Sequence, residues 1–193
     1  MMSNDSNVNQ FWDWSMVYIN YCDGGSFAGN RSEPVVSPAG NTLYFRGARI
    51  IRAVFDDLVT NQGLGASKGT LLLTGTSAGG LATYLHADRE ATWVPATMRV
   101  VAVPDAGYFL PLPQWNGKPS WLPYYQQVAE EQDVWGSVND GCMAAYPSVQ
   151  ERWRCFMAPY TAPFMKTPLF ILNSLADAWQ LKNIVRLPCI HGY

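Results

Sequence analysis

The segment around Gly75-Thr-Ser-Ala-Gly79 constrains the fold more strongly than any other part of the chain. It follows residues 70–75, a short apolar run typical of a strand buried on both faces, and it overlaps the start of residues 78–89, which favour a helix. A serine between two glycines at this boundary predicts a tight strand-to-helix turn, in which the residues two before and two after the serine must be small. The first expectation is therefore an α/β protein.

The rest of the chain repeats the alternation of strand and helix. Residues 15–22, 98–103 and 168–173 are predicted strands, and residues 46–61 and 178–185 are predicted helices, with Gly63 just beyond the end of the first helix. This order predicts an α/β-hydrolase-like parallel sheet with helices on both faces, in a single domain over residues 1–193. Between residues 111 and 167 no period is visible, and we expect an irregular insertion over one end of the sheet.

Composition excludes several classes of function. Only 15% of the residues are charged and the formal net charge is -2, without a dense cluster of lysine and arginine, so we expect no nucleic-acid partner. No stretch approaches the roughly 20 apolar residues that a membrane span requires. Residues 1–10 are polar and have neither a basic start nor an apolar run, so we expect no signal peptide within these residues.

The four cysteines, Cys22, Cys142, Cys155 and Cys189, match no zinc-ligand spacing, and nothing in the sequence predicts a metal or a cofactor. Cys142 and Cys155 flank a short polar segment. Their spacing alone is compatible with a disulfide loop or with buried free thiols.

Ser77 is the candidate nucleophile. In a strand-to-helix turn its hydroxyl projects above the sheet edge, and the following helix directs backbone N–H groups and positive potential towards a developing oxyanion. The N–H group of Ala78 is one expected donor. The alternatives are an ordinary serine in a glycine-rich turn or a phosphate-binding loop, although the segment lacks the lysine of a P-loop and the glycine spacing of a dinucleotide site.

A serine nucleophile needs a base, and an acid that orients the base. Asp177 follows the predicted strand 168–173 and is the favoured acid, while Asp105, just after the predicted strand 98–103, is the competing candidate. Asp105 could instead belong to a turn, because Asp-Ala-Gly has turn chemistry. Asp23 precedes the serine and is therefore in the wrong chain order for this fold.

The base must be one of two histidines. His86 lies nine residues beyond Ser77 on the same predicted helix, so it is about 13 Å away along the axis and is expected to be a structural or surface residue. His191 has the right chain order but lies in a segment without a predicted element to hold it. It is the remaining candidate for the catalytic base.

Four segments together resemble the pectin acetylesterase family, to which the animal Notum-type carboxylesterases also belong. They are Tyr21-Cys-Asp-Gly-Gly-Ser-Phe-Ala-Gly29, Gly75-Thr-Ser-Ala-Gly-Gly-Leu81, Pro104-Asp-Ala-Gly-Tyr-Phe109 and Asn173-Ser-Leu-Ala-Asp-Ala-Trp-Gln180, in the family's order and at about its spacing. The resemblance implies Ser77 as nucleophile, Asp177 as triad acid, support of the site by Asp105, and a disulfide between Cys142 and Cys155.

The resemblance also implies a function and a limit to it. It implies a secreted serine carboxylesterase that hydrolyses acetyl esters of a cell-wall polysaccharide, or a lipid deacylase of the Notum type. A non-catalytic α/β domain that only binds a ligand is the alternative from another class. The family's Gly-Gly-Gly-Trp-Cys-like segment, which supplies further oxyanion donors, has no match here, and the family's histidine lies further from the acid than His191 does. The expectation is therefore a central fragment, incomplete at both ends, with weak acetyl-ester hydrolysis by itself.

Overall fold

The computed structural model describes residues 3–190. The strands in this range are β1 (Val35–Val36), β2 (Thr42–Leu43), β3 (Gly69–Thr76) and β4 (Met98–Asp105). The α-helices are α1 (Gly47–Thr60), α2 (Ala78–Glu90), α3 (Leu122–Glu131), α4 (Asp140–Ala145), α5 (Ala158–Thr161) and α6 (Ala178–Asn183), with short 3₁₀ turns between some of them.

The centre of the fold is a parallel arrangement of β3 and β4, with α2 as the crossover between them. The two strands pair over their whole length, from Gly69 opposite Met98 to Thr76 opposite Asp105. The predicted strand at residues 168–173 continues the arrangement beyond β4, since Leu169 and Leu172 form parallel bridges with Ala102 and Asp105. All three segments therefore end at the same edge, where a parallel α/β sheet presents its functional groups.

One apolar core forms where α1 and α2 pack against the sheet. Ile51 and Phe55, four positions apart on α1, are 4% exposed and share a cluster with Leu71 and Leu73, which alternate along β3. The helical and strand periods of the sequence therefore meet at this core. The two predicted elements were residues 46–61 and 70–75, and both form within one residue of those limits.

Residues 111–167, which show no period in the sequence, contain α3, α4 and α5. They build a second core against α2 with Tyr84, Leu85, Phe156 and Met157. Cys142 in α4 and Cys155 form a disulfide with their Cα atoms 5.7 Å apart, and both residues are fully buried in this core. The disulfide implied by the family resemblance is thus present.

The strand predicted at residues 15–22 does not form. The segment runs along the surface without ladder pairing in the described structure, and Val17 and Tyr18 are 56% and 72% exposed. Its β-branched and aromatic residues favour a strand only where another strand lies alongside to pair with them. A short antiparallel hairpin of β1 and β2, which the sequence analysis did not predict, follows instead.

Candidate active site

Ser77 occupies the turn between β3 and α2, as predicted. Its backbone has φ 58° and ψ -118°, a conformation that a non-glycine residue adopts only with strain. The N–H group of Ser77 donates to the carbonyl oxygen of Asp105 at 2.9 Å, which ties the turn to the end of β4. The side chain is exposed and makes no hydrogen bond that caps α2, so the hydroxyl group is not engaged by its own helix.

The glycines of the turn are required to different degrees. A Cβ atom at Gly75 would lie 2.5 Å from the carbonyl carbon and oxygen of Gly79, closer than real contacts allow, whereas a Cβ at Gly79 would meet open space. The prediction that both positions must be small is therefore supported for Gly75 only. A second close approach joins Gly80 to Gly107, where an added Cβ at Gly107 would lie 2.3 Å from the carbonyl carbon of Gly80.

The start of α2 leaves backbone N–H groups next to Ser77. Ala78 is the first residue of α2, and the first N–H groups of a helix have no partner within it. They lie next to the Ser77 hydroxyl and carry the positive end of the helix dipole. The N–H of Ala78 therefore has the chemistry of an oxyanion donor.

Asp177 lies at the same edge of the sheet as Ser77. It follows the segment in which Leu172 pairs with Asp105, and it is the N-cap of α6. Its Oδ1 atom accepts a hydrogen bond from the N–H of Gln180 at 2.9 Å, which fixes the carboxylate while its other oxygen takes no part in this bond. The side chain is half-buried.

Asp105, the competing acid, pairs across the sheet with Thr76, the residue just before Ser77. It is half-buried at the end of β4, and its Oδ2 atom accepts a hydrogen bond from the hydroxyl of Thr76 at 3.0 Å. The next residue, Ala106, has φ 47° and donates to the carbonyl oxygen of Leu172 at 2.8 Å. Asp105 is thus held between β3 and the segment that leads to Asp177.

Two amide side chains, to which the sequence analysis assigned no role, connect these elements. The Oε1 atom of Gln180 accepts from the N–H of Leu110 at 2.9 Å, and its Nε2 donates to the carbonyl oxygen of Tyr108 at 3.1 Å. The Oδ1 atom of Asn173 accepts from the N–H of Tyr108 at 3.1 Å. Both amides lie within a segment that carries the family resemblance, which was the only signal for them.

His86 is buried inside the fold. It is 2% exposed on the unbroken helix α2, and its Nε2 atom lies 3.3 Å from the carbonyl oxygen of Ser26. Burial lowers the pKa of His86 from the ordinary 6.5 to about 4, so the ring is neutral near pH 7. His191, the candidate base, lies outside the described residues.

The loop held by His86 contains Asp23, which the sequence analysis set aside. Asp23 is 7% exposed, and its Oδ1 atom accepts from the N–H groups of Gly25 and Phe27, both at 3.1 Å. These bonds shape a turn in which Ser26 and Phe27 have positive φ angles of 53° and 55°. Asp23 therefore organises the loop, which reaches the same cavity as Ser77.

That cavity has a volume of about 240 Å³ and opens beside Ser77 and Ala78. One wall is the loop at Gly24, Gly25 and Ser26, and the other wall consists of aromatic and aliphatic side chains: Leu81, Phe109, Trp121, Tyr124, Tyr125, Val128, Phe156 and Trp179. The ring of Trp179 packs edge-on against Phe109 at 5.7 Å between centroids. Burial raises the pKa of the Tyr125 phenol, which therefore remains neutral.

Within residues 3–190, no group of three or more His, Cys, Asp or Glu side chains is placed to hold a metal ion. Nor does this range contain a helix with both the length and the apolar character needed to cross a bilayer.

A strained serine turn at the carboxyl edge of a parallel sheet, with helices packed on the strands, defines a domain of the α/β-hydrolase type. The structure superposes on that of the Wnt deacylase Notum from Drosophila with a TM-score of 0.80 and 30% sequence identity, over 94% of this chain and 52% of that one. The pectinacetylesterase family model matches residues 1–192, and the chain belongs to this family.

Curated relatives of two kinds match the chain. Pectin acetylesterase 7 of Arabidopsis thaliana is 39% identical over 91% of this chain and 42% of its own length. The palmitoleoyl-protein carboxylesterase NOTUM of Drosophila melanogaster is 32% identical over 94% of this chain and 27% of its own length. The chain thus spans less than half the length of these relatives.

Proposed function

We propose that the protein acts in ester hydrolysis as a serine carboxylesterase, with Ser77 as nucleophile. The observation that carries the proposal is the strained turn at Ser77, which presents an unengaged hydroxyl at the mouth of a cavity. The start of α2 and the carboxylate of Asp177 lie at the same edge of the sheet. Strained conformations of this kind persist where function requires them.

The proposed reaction has two stages. The hydroxyl oxygen of Ser77 attacks the ester carbonyl while a histidine, for which His191 is the candidate, takes the hydroxyl proton. The N–H of Ala78 stabilises the negative charge on the carbonyl oxygen, and Asp177 orients the histidine and stabilises its charged form. The alcohol leaves with the proton, and water then releases the acid and regenerates Ser77.

The proposed substrate is an acetyl ester on a cell-wall-type polysaccharide. Its support is the family, together with relatives named as pectin acetylesterases at 33% to 39% identity. A polysaccharide outside the cell is reached only by a secreted enzyme, so secretion is part of the same proposal.

A longer acyl chain is the second candidate, favoured by the wall of the cavity. Phe109, Trp121, Tyr125 and Trp179 form an apolar surface directly beside Ser77, larger than an acetyl group needs. Fatty-acyl chains gain free energy from burial against such a surface, at about 25 cal/mol per Å² of apolar area. Relatives named as palmitoleoyl-protein carboxylesterases have sequence identities of 28% to 32%.

Labelling with a fluorophosphonate tests the nucleophile without requiring complete turnover. We expect mass mapping to find the label on Ser77, and the Ser77→Ala variant to remain unlabelled. Ser67→Ala, two residues before the start of β3, is the matched control and should label normally. No label on Ser77 in the folded protein would favour the non-catalytic binding domain instead.

Assays of ester hydrolysis test the proposed substrate and the proposed triad acid. Acetate release from acetylated polygalacturonate, compared with release of a palmitoleoyl ester, separates the two candidate substrates. If Asp177 orients the base, Asp177→Asn should lower kcat by several orders of magnitude, as in other triads, about 10⁴-fold. Asp105→Asn, which keeps the size of the side chain, should have a smaller effect, and the reverse order would make Asp105 the acid.

A further inference from the structure

A second cavity, of about 420 Å³, opens between α1, α2 and the turn at residues 134–137. It shares no lining residue with the cavity beside Ser77. Arg49 and Arg52 of α1 and Arg89 of α2 line it, against a single acidic residue, Asp56. We call it the arginine cavity.

Two of its arginines are fixed mainly by acceptors that carry no charge. Arg49 donates from Nε to Oδ1 of Asn30 and from Nη2 to the backbone carbonyl of the same residue, both at 2.9 Å. Arg89 donates to the backbone carbonyls of Gly136 and, at 3.3 Å, Val138. Neutral acceptors orient a guanidinium group without cancelling its charge, so these positions are arranged in advance for an anion.

The carboxylates nearby neutralise only part of this charge. Asp56 lies 2.6 Å from Arg52, but both side chains are about half exposed, where an ion pair is weak. The carboxylate of Asp140 is 3.6 Å from Arg89 and is 96% exposed. The lining therefore keeps an excess of positive charge.

The lining also contains a buried polar group for which the described residues supply no hydrogen-bond partner. Ser137 is 1% exposed, and its Oγ atom has no hydrogen-bond partner among the described residues. An unpartnered buried hydroxyl group costs free energy that a bound acceptor would recover. Trp93 also lines the cavity, and the guanidinium of Arg52 lies over its ring, 4.8 Å from the centroid, which helps to hold Arg52 in place.

We propose that the arginine cavity is a binding site for an oxyanion carried by a small ligand, either the carboxylate of an acidic sugar or a phosphate group. The charge of the guanidinium groups attracts both anions, and N–H groups that are not already bonded within the protein donate to the oxygen atoms of the anion. The Ser137 hydroxyl donates a further bond. The proposal does not depend on the esterase proposal, since the cavity contains none of the residues assigned to catalysis.

His86 provides a spectroscopic reporter for this site. It lines the arginine cavity, and the sequence contains only one other histidine, His191. In the His191→Gln variant, the remaining imidazole NMR signal belongs to His86. An anion bound nearby favours the charged form of the ring, so occupancy should raise the pKa of His86.

The experiment titrates the full chain, carrying His191→Gln, with D-galacturonate, inorganic phosphate and methyl galactoside. We expect a saturable shift of the His86 signal with at least one of the two anions and none with the neutral sugar. A response to galacturonate alone identifies an acidic sugar, a response to phosphate alone identifies a phosphate ligand, and a response to both identifies a general oxyanion site.

Arginine variants show where the anion binds. Arg49→Gln should weaken binding roughly tenfold or more, because charge-assisted hydrogen bonds are lost. Arg52→Gln, whose side chain is exposed, is a second variant should Arg49→Gln fail to fold. Arg99→Gln removes an exposed charge from β4, outside the cavity, and should bind normally. The proposal is overturned if neither anion gives a saturable shift, if methyl galactoside binds equally well, or if Arg99→Gln is as weak as Arg49→Gln.

Discussion

Two buried titratable side chains, His86 and Glu90, lie one turn apart on α2 and should shape the pH dependence of stability in opposite directions. They are 2% and 6% exposed. Burial lowers the pKa of His86 from 6.5 to about 4 and raises the pKa of Glu90 from 4.5 to about 8. Between these values the folded protein therefore keeps both groups uncharged.

Proton linkage gives the sign of the contribution that each group makes to the free energy of unfolding. The contribution of His86 is complete above pH 6.5 and is lost as the pH falls towards 4, by about 3 kcal/mol at about 1.4 kcal/mol per pKa unit. The contribution of Glu90 is complete below pH 4.5 and is lost as the pH rises towards 8, by about 5 kcal/mol. From pH 4.5 to 6.5 the two slopes nearly cancel.

Single variants should reveal the two slopes of the free energy of unfolding against pH that cancel in the natural protein. Glu90→Gln removes the decline due to Glu90. The free energy of unfolding of this variant, relative to that of wild type, should therefore rise by about 5 kcal/mol between pH 4.5 and 8, and the rise due to His86 is the only one of the two slopes that remains. With His86→Gln only the decline due to Glu90 remains. The assay is urea unfolding at several pH values, followed by tryptophan fluorescence. The free energies are compared with one common value of m, the slope of the free energy of unfolding against urea concentration. Parallel pH profiles for all three proteins would refute the assignment.

Two further perturbations follow from contacts in the fold. Gly75→Ala places a Cβ 2.5 Å from the backbone of Gly79, so the free energy of unfolding should fall by roughly 1–3 kcal/mol. Gly79→Ala is the matched control, since its Cβ meets open space and alanine favours a helix by about 1 kcal/mol, and a lower urea midpoint there would contradict the packing argument. Replacing Cys142 and Cys155 by serine should lower the free energy of unfolding by about 3 kcal/mol. Non-reducing peptide mapping that finds both thiols free in the natural protein would remove that expectation.

The parts of the fold that the sequence predicts correctly are those with a local cause. The turn at Ser77 follows from glycines beside a short apolar run, and α1 follows from apolar residues at helical spacing. The disulfide between Cys142 and Cys155 was implied by family resemblance rather than by spacing. These features depend on neighbours in sequence or on a known pattern.

The parts that were missed depend on distant residues. Gln180 connects α6 to Tyr108 and Leu110, some 70 positions earlier, and no local pattern indicates such bonds. The helices of residues 111–167 are short and pack aromatic side chains in several directions, so no single period is visible. Residues 15–22 do not form the predicted strand because residues with strand propensity form a strand only where another strand lies alongside to pair with them.

The backbone of Ser77 has a consequence for the evolutionary history of the chain. A positive φ with ψ of -118° costs a serine on the order of 1–3 kcal/mol, whereas glycine adopts it without that strain. Under selection for folding alone, Ser77→Gly would stabilise the fold and would readily become fixed. A lineage that abandoned the chemistry would therefore be expected to lose this serine early, and the residue found at this turn serves as a record of whether hydrolysis is still under selection.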